Sequence, residues 1–137
     1  MIKINLNEEQ VPSFIKVFKE YLALLIEGKL VERCPVDTSF LRTSINSAVE
    51  DDKIVISMAE YGKYIEFGTR PHIIRPVNGK ALKFSIKGET IFAKQVVHPG
   101  TLPNPFIRTT FFRDMPELVE QAAMAALDSL GAQTWLY

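Results

Sequence analysis

The 137 residues suit a single domain, 1–137, that is large enough to bury a hydrophobic core. A content of 47% hydrophobic and 23% charged residues excludes a generally disordered chain. The net charge is zero, and the lone cysteine, Cys34, excludes an internal disulfide. The longest apolar run, residues 21–26, is far shorter than the roughly 20 residues that cross a bilayer, so we expect a soluble protein.

The N-terminal third predicts a strand followed by a long helix. Ile2, Ile4 and Leu6 alternate with polar residues, as in a short strand. The helix runs to about Arg33 and is ended by Pro35. Two start signals remain open: a capping box of Asn7 with Gln10, or Pro12 in the first turn. The expected buried stripe is Phe14, Phe18, Tyr21, Leu22 and Leu25.

A short helical turn and two strands come next. Residues 37–39 provide capping side chains for the turn, with Phe40 and Leu41 as its buried contacts. Strands over 45–49 and 53–58 flank an acidic turn at 50–52.

Residues 61–72, YGKYIEFGTRPH, form a dense apolar segment with a carboxylate inside it. Its large side chains favour burial, and Gly68 and Pro71 end any helix there. Glu66 either points at water or is held by Arg42 or Arg70, because a buried carboxylate needs a partner. Beyond it, Asn78-Gly79 predicts a hairpin turn, with strands over 81–86 and 90–97 and a second turn at 87–89.

The C-terminal part predicts a helix and an apolar tail. Asn104-Pro105 is typical of a helix start, and Pro116 must kink that helix or divide it after Phe112. The tail, residues 131–137, is apolar at its end. The expected helix stripe is Val119, Ala122, Ala123, Ala126, Leu127 and Leu130. Its small residues permit close approach of another helix, from the same subunit or from a neighbour.

The neutral chain has a basic middle. Residues 63–98 carry two acidic side chains, Glu66 and Glu89, against seven basic ones: Lys63, Arg70, Arg75, Lys80, Lys83, Lys87 and Lys94. Such a segment is either a solvated hairpin, in which lysines protect strand edges, or a surface for an anionic partner.

Few residues point to catalysis. The sequence has no glycine-rich phosphate loop, no nucleophile elbow and no paired metal-ligand spacing. His72 and His98 could bind zinc with Cys34 or Glu66, but their spacing is unlike that of compact zinc modules. A small hydrolase that uses Glu66 and His72 is a further alternative. The favoured expectation is a protein that is not an enzyme and uses no cofactor or metal.

Three blocks of sequence stand out along the chain. The first block, PVDTSFLRTS, spans residues 35–44; the second, YGKYIEFGT, starts at Tyr61; and the third, NPFIR, starts at Asn104. In this order the blocks resemble the motifs of the head–tail joining proteins (neck or tail-completion proteins) of long-tailed bacteriophages and prophages. Ser39, in the first block, stands where that family usually has glycine. The matching positions are Pro35, Asp37, Thr38, Leu41, Arg42, Ser44, Tyr61, Tyr64, Glu66, Phe67, Gly68, Thr69, Pro105 and Phe106.

The resemblance implies an α+β fold in which an N-terminal helix and a C-terminal helix pack against a mostly antiparallel sheet with a protruding basic hairpin. It also implies a non-catalytic virion subunit, made in the bacterial cytoplasm and built into a homo-oligomeric ring, a hexamer, at the head–tail junction. Its partners would be neck or connector proteins, the tail tube and the double-stranded DNA that passes through. Neck, tail-completion and tail-terminator positions all remain open.

Two surfaces are assigned on this basis. Arg70, Arg75, Lys80, Lys83, Lys87 and Lys94 would face the DNA channel, or alternatively an acidic protein surface such as the 50–52 turn of a neighbour. Ala122, Ala123, Ala126, Trp135, Leu136 and Tyr137 would form an oligomer interface. The alternative function is a free-standing nucleic-acid-binding module that uses residues 70–94.

Overall fold

The chain has an α+β fold, as the sequence predicts, with all described strand pairs antiparallel. The computed structural model describes residues 2–35, 39–76, 79, 81–131 and 134–136. The chain divides into two compact units: unit 1 comprises Met1–Gly62 with Pro105–Tyr137, and unit 2 is Lys63–Asn104. Among the described helices, none is long and apolar enough to cross a membrane.

Unit 1 contains most of the helices and two strand pairs. Its elements in chain order are β1 (Ile2–Ile4), α1 (Gln10–Arg33), α2 (Ser39–Ser44), β2 (Asn46–Glu50), β3 (Lys53–Ser57), α4 (Phe106–Thr109), a π-helical segment (Thr110–Asp114), α5 (Met115–Ser129) and β8 (Thr134–Leu136). Unit 2 contains α3 (Gly62–Phe67, which begins at the last residue of unit 1), β4 (His72–Ile74), β5 (Leu82–Ile86), β6 (Glu89–Ala93) and β7 (Val96–His98).

Both signals for the start of α1 are confirmed. Asn7 Oδ1 accepts the N–H of Gln10 at 2.9 Å, and Gln10 Oε1 accepts the N–H of Asn7 at 3.1 Å, which is the reciprocal pattern of a capping box. Pro12 lies in the first turn, where its missing N–H costs no hydrogen bond. The predicted stripe is out of phase: the buried residues of α1 are Ala23, Ile26 and Leu30.

The core of unit 1 lies where α1 packs against α5 and against the β2–β3 hairpin. Two polar contacts tie the hairpin to the helix. Ser47 donates to Glu27 Oε2 at 2.6 Å, and Lys19 Nζ donates to the carbonyl of Asp51 at 3.0 Å in the acidic turn. The bounds of β2 and β3 confirm the strand predictions for 45–49 and 53–58 to within one residue at each end.

The C-terminal helix is continuous from Phe106 to Ser129 but changes its winding in the middle. The predicted division after Phe112 is wrong: the helix continues through a π-helical segment that comes directly before Pro116. Asn104 does not cap the helix: Pro105 is the N-cap residue, there is no side-chain cap bond, and the backbone N–H of Asn104 donates to the Ile65 carbonyl at 2.8 Å.

The π-helical segment has a geometrical consequence for the buried face. An α-helix turns by about 400° over four residues, so side chains spaced by four drift by about 40° per step. Over five steps that drift would carry the last residue to the far side of the helix. The wider π-helical turn rotates less per residue and reverses part of the drift. The buried residues that it keeps together are Phe106, Thr110, Asp114, Leu118, Ala122 and Ala126.

The C-terminal tail does not hang free. Residues 134–136 form β8, which pairs with β1 in the register Ile2 to Leu136, Lys3 to Trp135 and Ile4 to Thr134. The backbone of these residues therefore has its hydrogen-bond partner in β1, and the predicted interface role of Trp135 and Leu136 stays a prediction. Tyr137 lies outside the described residues.

Unit 2 contains one long folded-back arm, which we define as residues 69–101 and call the basic arm. At its base an isolated bridge joins Thr69 to Thr101, then β4 pairs with β7, and at its far end β5 pairs with β6. The hairpin turn is Lys87-Gly88, both with left-handed φ, of +50° and +83°. The prediction that Asn78-Gly79 makes a local hairpin is wrong, because β4 takes the distant β7 as its partner; Asn78 itself is outside the described residues.

Candidate functional site

The first block of the resemblance serves the packing of unit 1. Leu41 is fully buried, and Arg42 Nε donates to the Val31 carbonyl at 3.3 Å. Ser44 Oγ donates to the Leu41 carbonyl at 2.6 Å and accepts the N–H of Ala59 at 2.9 Å, so it joins α2 to the segment after β3. Phe40, expected to be buried, is 69% exposed and stacks on Tyr61 with ring centroids 6.2 Å apart. Pro35 is half-buried, while Asp37 and Thr38 lie outside the described residues.

The third block begins the C-terminal helix. Phe106 is buried, and its carbonyl accepts the hydroxyl of Thr110 at 2.8 Å one turn later. Thr110 is itself fully buried, so this bond satisfies a hydroxyl that has no access to water.

In the second block the carboxylate is buried and the aromatic side chains are not. Glu66 is 1% exposed and is engaged by other groups of the protein. Tyr64 is 51% exposed and Phe67 is 65% exposed, so the expectation that these apolar side chains are buried is wrong. Pairing of Glu66 with Arg42 or Arg70 stays a prediction.

Two glycines lie at the base of the basic arm, and each packs against the backbone of the segment that contains the other. Gly68 and Gly100 have φ of +74° and +84°. A Cβ on Gly68 would lie 2.5 Å from the Thr101 carbonyl oxygen, and one on Gly100 would lie 2.4 Å from the Thr69 carbonyl oxygen. Between them Thr69 and Thr101 exchange two backbone hydrogen bonds of 3.1 Å. Only residues without a Cβ allow this approach, so the Gly-Thr step is needed to close the arm.

Two histidines stack just beyond this base. His72 and His98 are opposite each other in β4 and β7, with ring centroids 4.9 Å apart. His72 Nδ1 lies 2.8 Å from the Arg70 carbonyl, so it carries the proton, whereas His98 Nδ1 accepts the N–H of Gly100 at 3.0 Å. In the described part of the chain no three His, Cys, Asp or Glu residues form a group that could hold a metal.

The basic side chains spread along the arm. Arg70, Arg75, Lys83, Lys87 and Lys94 are all exposed, and Lys80 lies outside the described residues. Lys83 is the cross-strand partner of Phe92, which is 66% exposed. The arm thus displays cations beside apolar side chains.

The proposed oligomer interface on α5 is wrong for two of its members. Ala122 and Ala126 are fully buried within the subunit, in a helix that packs against α1, so no neighbour can reach them. Ala123 is half-buried. Trp135 and Leu136 are in β8, where only their backbone pairing with β1 is described.

An ion pair that the sequence does not signal fastens α1 to the π-helical segment. Arg33 Nη2 lies 2.8 Å from Asp114 Oδ1, and Arg33 Nε also contacts Asp114 Oδ2, which makes the pair bidentate. The hydrogen bonds from Arg33 hold the pKa of Asp114 below its ordinary value, and they raise the pKa of Arg33. The residues are 81 positions apart, so no local pattern predicts them.

Comparison with known proteins gives no relative for this chain. No protein-family model matches it, and neither the curated proteins nor the solved structures contain a significant match. The three blocks and their structural roles therefore carry the functional argument alone.

Proposed function

We propose that this protein is a structural subunit of a tailed phage or prophage. It forms part of a homo-oligomeric ring at the head–tail junction that connects the portal or neck to the tail tube and lets DNA pass. The observation that carries the proposal is the presence of the three blocks, in order, between residues 35 and 108.

The local roles of the block residues support a structural function. Ser44 bridges α2 to Ala59, Gly68 and Thr69 close the basic arm, and Phe106 is in the core of unit 1. Each of them maintains backbone geometry or packing, as expected of a structural subunit. Two aromatic side chains of the blocks, Phe40 and Tyr64, are exposed, as contacts with neighbouring proteins would require.

Deletion of the gene from the phage or prophage that encodes it tests this function. We expect DNA-filled heads and complete tails that remain separate in electron micrographs, and a supplied wild-type copy should restore joined particles. Normal yields of joined particles without the gene would refute the proposal.

A free-standing nucleic-acid-binding module is the second candidate, favoured by the five exposed basic side chains of the arm. Binding of the purified protein to duplex DNA of arbitrary sequence, followed as a function of salt, distinguishes the two. A module would bind with a steep salt dependence, because each phosphate contact releases counterions. We expect a single subunit to show no comparable binding.

A further inference from the structure

The two structural units carry opposite charge, although the chain as a whole is neutral. Unit 2, Lys63–Asn104, has seven basic and two acidic side chains, a net charge of +5. Unit 1 has nine basic and fourteen acidic side chains, a net charge of −5. One copy of this protein is therefore electrostatically complementary to another when the two meet head to tail.

Unit 2 also lacks a hydrophobic core among its described side chains. All buried apolar residues that the structure describes belong to unit 1. In the basic arm, Ile73 and Val97 form a cross-strand pair that is 49% and 67% exposed, and Phe92 is 66% exposed. Two-stranded ribbons are only marginally stable alone in water, so these side chains need a surface that covers them.

Helix α5 offers an acidic surface of suitable chemistry. Its fifteen residues contain three acidic side chains and no basic one. Glu117, Glu120, Gln121 and Met124 line a shallow groove of about 460 Å³ on its exposed face. At the other acidic cluster, the 50–52 turn, Lys19 Nζ already places a positive charge 3.0 Å from the Asp51 backbone carbonyl oxygen. The groove thus combines carboxylates, which attract lysines, with a thioether that packs against apolar groups.

We propose that the basic arm of one subunit docks on the α5 groove of a second copy. It rests on the proposed function only in taking another copy of the chain as the neighbour. Lysines 83, 87 and 94 meet Glu117 and Glu120, while apolar side chains of the arm pack on Met124. Such a contact joins two different surfaces, so it repeats from copy to copy and can close into a ring. The apolar side chains favour a protein partner over DNA, since phosphates attract only the cations.

A charge-swap experiment tests the pairing directly. The arm variant carries Lys83→Glu, Lys87→Glu and Lys94→Glu, and the groove variant carries Glu117→Lys and Glu120→Lys. Association is measured by sedimentation at low salt, where the wild-type protein should self-associate. We expect each variant alone to associate at least about tenfold more weakly, because like charges then oppose each other. An equimolar mixture should recover association, since each variant supplies the partner that the other lacks.

As a control, Glu50→Lys with Asp52→Lys changes the net charge by the same amount as the groove variant, but at the other acidic cluster, and it should leave association unchanged.

A crosslinking experiment detects contacts that are too weak for sedimentation. Chains with Lys87→Cys and chains with Glu120→Cys are mixed with a short bifunctional crosslinker; Cys34 is buried and should not react. The proposal is overturned if the arm variant associates normally, if the mixture is not rescued, if the 50–52 variant is the one that fails, or if wild-type protein neither associates nor crosslinks. Loss of duplex-DNA binding in the arm variant with normal association would assign the arm to DNA instead. The proposed head–tail function is tested separately, by the particles that form without the gene, so the two proposals can fail independently.

Discussion

At the scale of single residues, Glu66 is the one buried residue in unit 2 among those with a described burial. The sequence predicts two candidate partners: Arg42, which lies in the first block, and Arg70, which follows Glu66 in the segment 61–72. If one of them neutralises the buried carboxylate, Glu66→Gln leaves that arginine without its partner. Removing one member of a buried pair costs on the order of 3–5 kcal/mol of unfolding free energy.

We expect that loss in urea unfolding of Glu66→Gln, whereas Glu20→Gln, on an exposed face of α1, should change stability by less than about 0.5 kcal/mol. A double-mutant cycle with Arg42→Ala or Arg70→Ala identifies the partner. Unchanged stability of Glu66→Gln, or strict additivity with both arginines, would contradict the pairing.

The glycines of the basic arm allow backbone strain to be separated from steric crowding. Gly88 and Gly100 have nearly the same left-handed φ, +83° and +84°, but only Gly100 has backbone atoms within 4 Å of an added Cβ. Gly88→Ala should cost about 1–2 kcal/mol, the usual price of the left-handed conformation. Gly100→Ala should cost more and should open the Thr69–Thr101 bridge. Amide exchange at Thr69 and Thr101 measures this opening; equal effects of the two substitutions would show that the close approach is not needed.

The Arg33–Asp114 pair makes stability depend on acid pH. Because the pKa of Asp114 is lower in the folded protein than in the unfolded chain, the unfolded chain binds the proton more readily. The stabilisation is therefore complete above the ordinary carboxyl pKa of about 3.9 and disappears as pH falls through the lowered folded-state value. We expect the stability difference between wild type and Asp114→Asn to be constant near neutral pH and to shrink below that range. Asp128→Asn, at an exposed position of α5, should show no such trend.

At the scale of elements, the π-helical segment accounts for the phase of the C-terminal helix. Phe112 is 84% exposed and lies midway between Thr110 and Asp114, the buried residues at the two ends of the segment. Its deletion should leave a regular α-helix with the same buried faces. Pro116 would then clash with the carbonyl four residues earlier, at a cost of about 3 kcal/mol.

The variant that combines deletion of Phe112 with Pro116→Ala should therefore fold, with an unfolding free energy within about 1 kcal/mol of Pro116→Ala alone. Deletion of Phe112 by itself should give a protein about 3 kcal/mol less stable than that combined variant. Deletion of the exposed Gln121 with Pro116→Ala is the matched control. That deletion turns Ala122 and Ala126 off the core by about 100° and should disrupt folding. If both deletions are equally harmful in thermal unfolding, the π-helical segment does not set the phase.

Local signals predict the elements better than their partners. Asn7, Gln10 and Pro12 predict the start of α1 because capping is decided within one turn. The phase of its buried face is missed: Ala23, Ile26 and Leu30 are the buried residues, whereas Phe14 and Phe18 stack on each other with ring centroids 5.8 Å apart. What packs against a helix decides which of its apolar residues are covered, and the sequence of the helix does not contain that information.

At the scale of the whole molecule, the pairing of β4 with β7 is the feature that local sequence patterns predict least well. The steps Gly68-Thr69 and Gly100-Thr101, and Pro71-His72 with His98-Pro99, were a signal available in the sequence. They bring equivalent residues opposite each other, as Thr69 with Thr101 and His72 with His98. Asn78-Gly79 is the stronger local signal, but the tight closure at the two glycines determines the register of the arm.

The division of charge between the units is visible only when the structural boundary is known. The sequence alone shows a basic segment in a neutral chain. The structure shows that this segment belongs to unit 2, which has no described apolar core, and that the acidic unit 1 contains the core. Opposite charges on two units of the same chain suit assembly from identical copies.

The most direct test of the proposed function is where the protein is found in mature particles and in how many copies. Quantitative mass spectrometry of purified particles, with antibody labelling in the electron microscope, measures both. The proposal predicts a fixed number of copies per particle, equal to one ring, with label confined to the junction of head and tail. Absence of the protein from joined particles, or label spread over heads or tails, would contradict it.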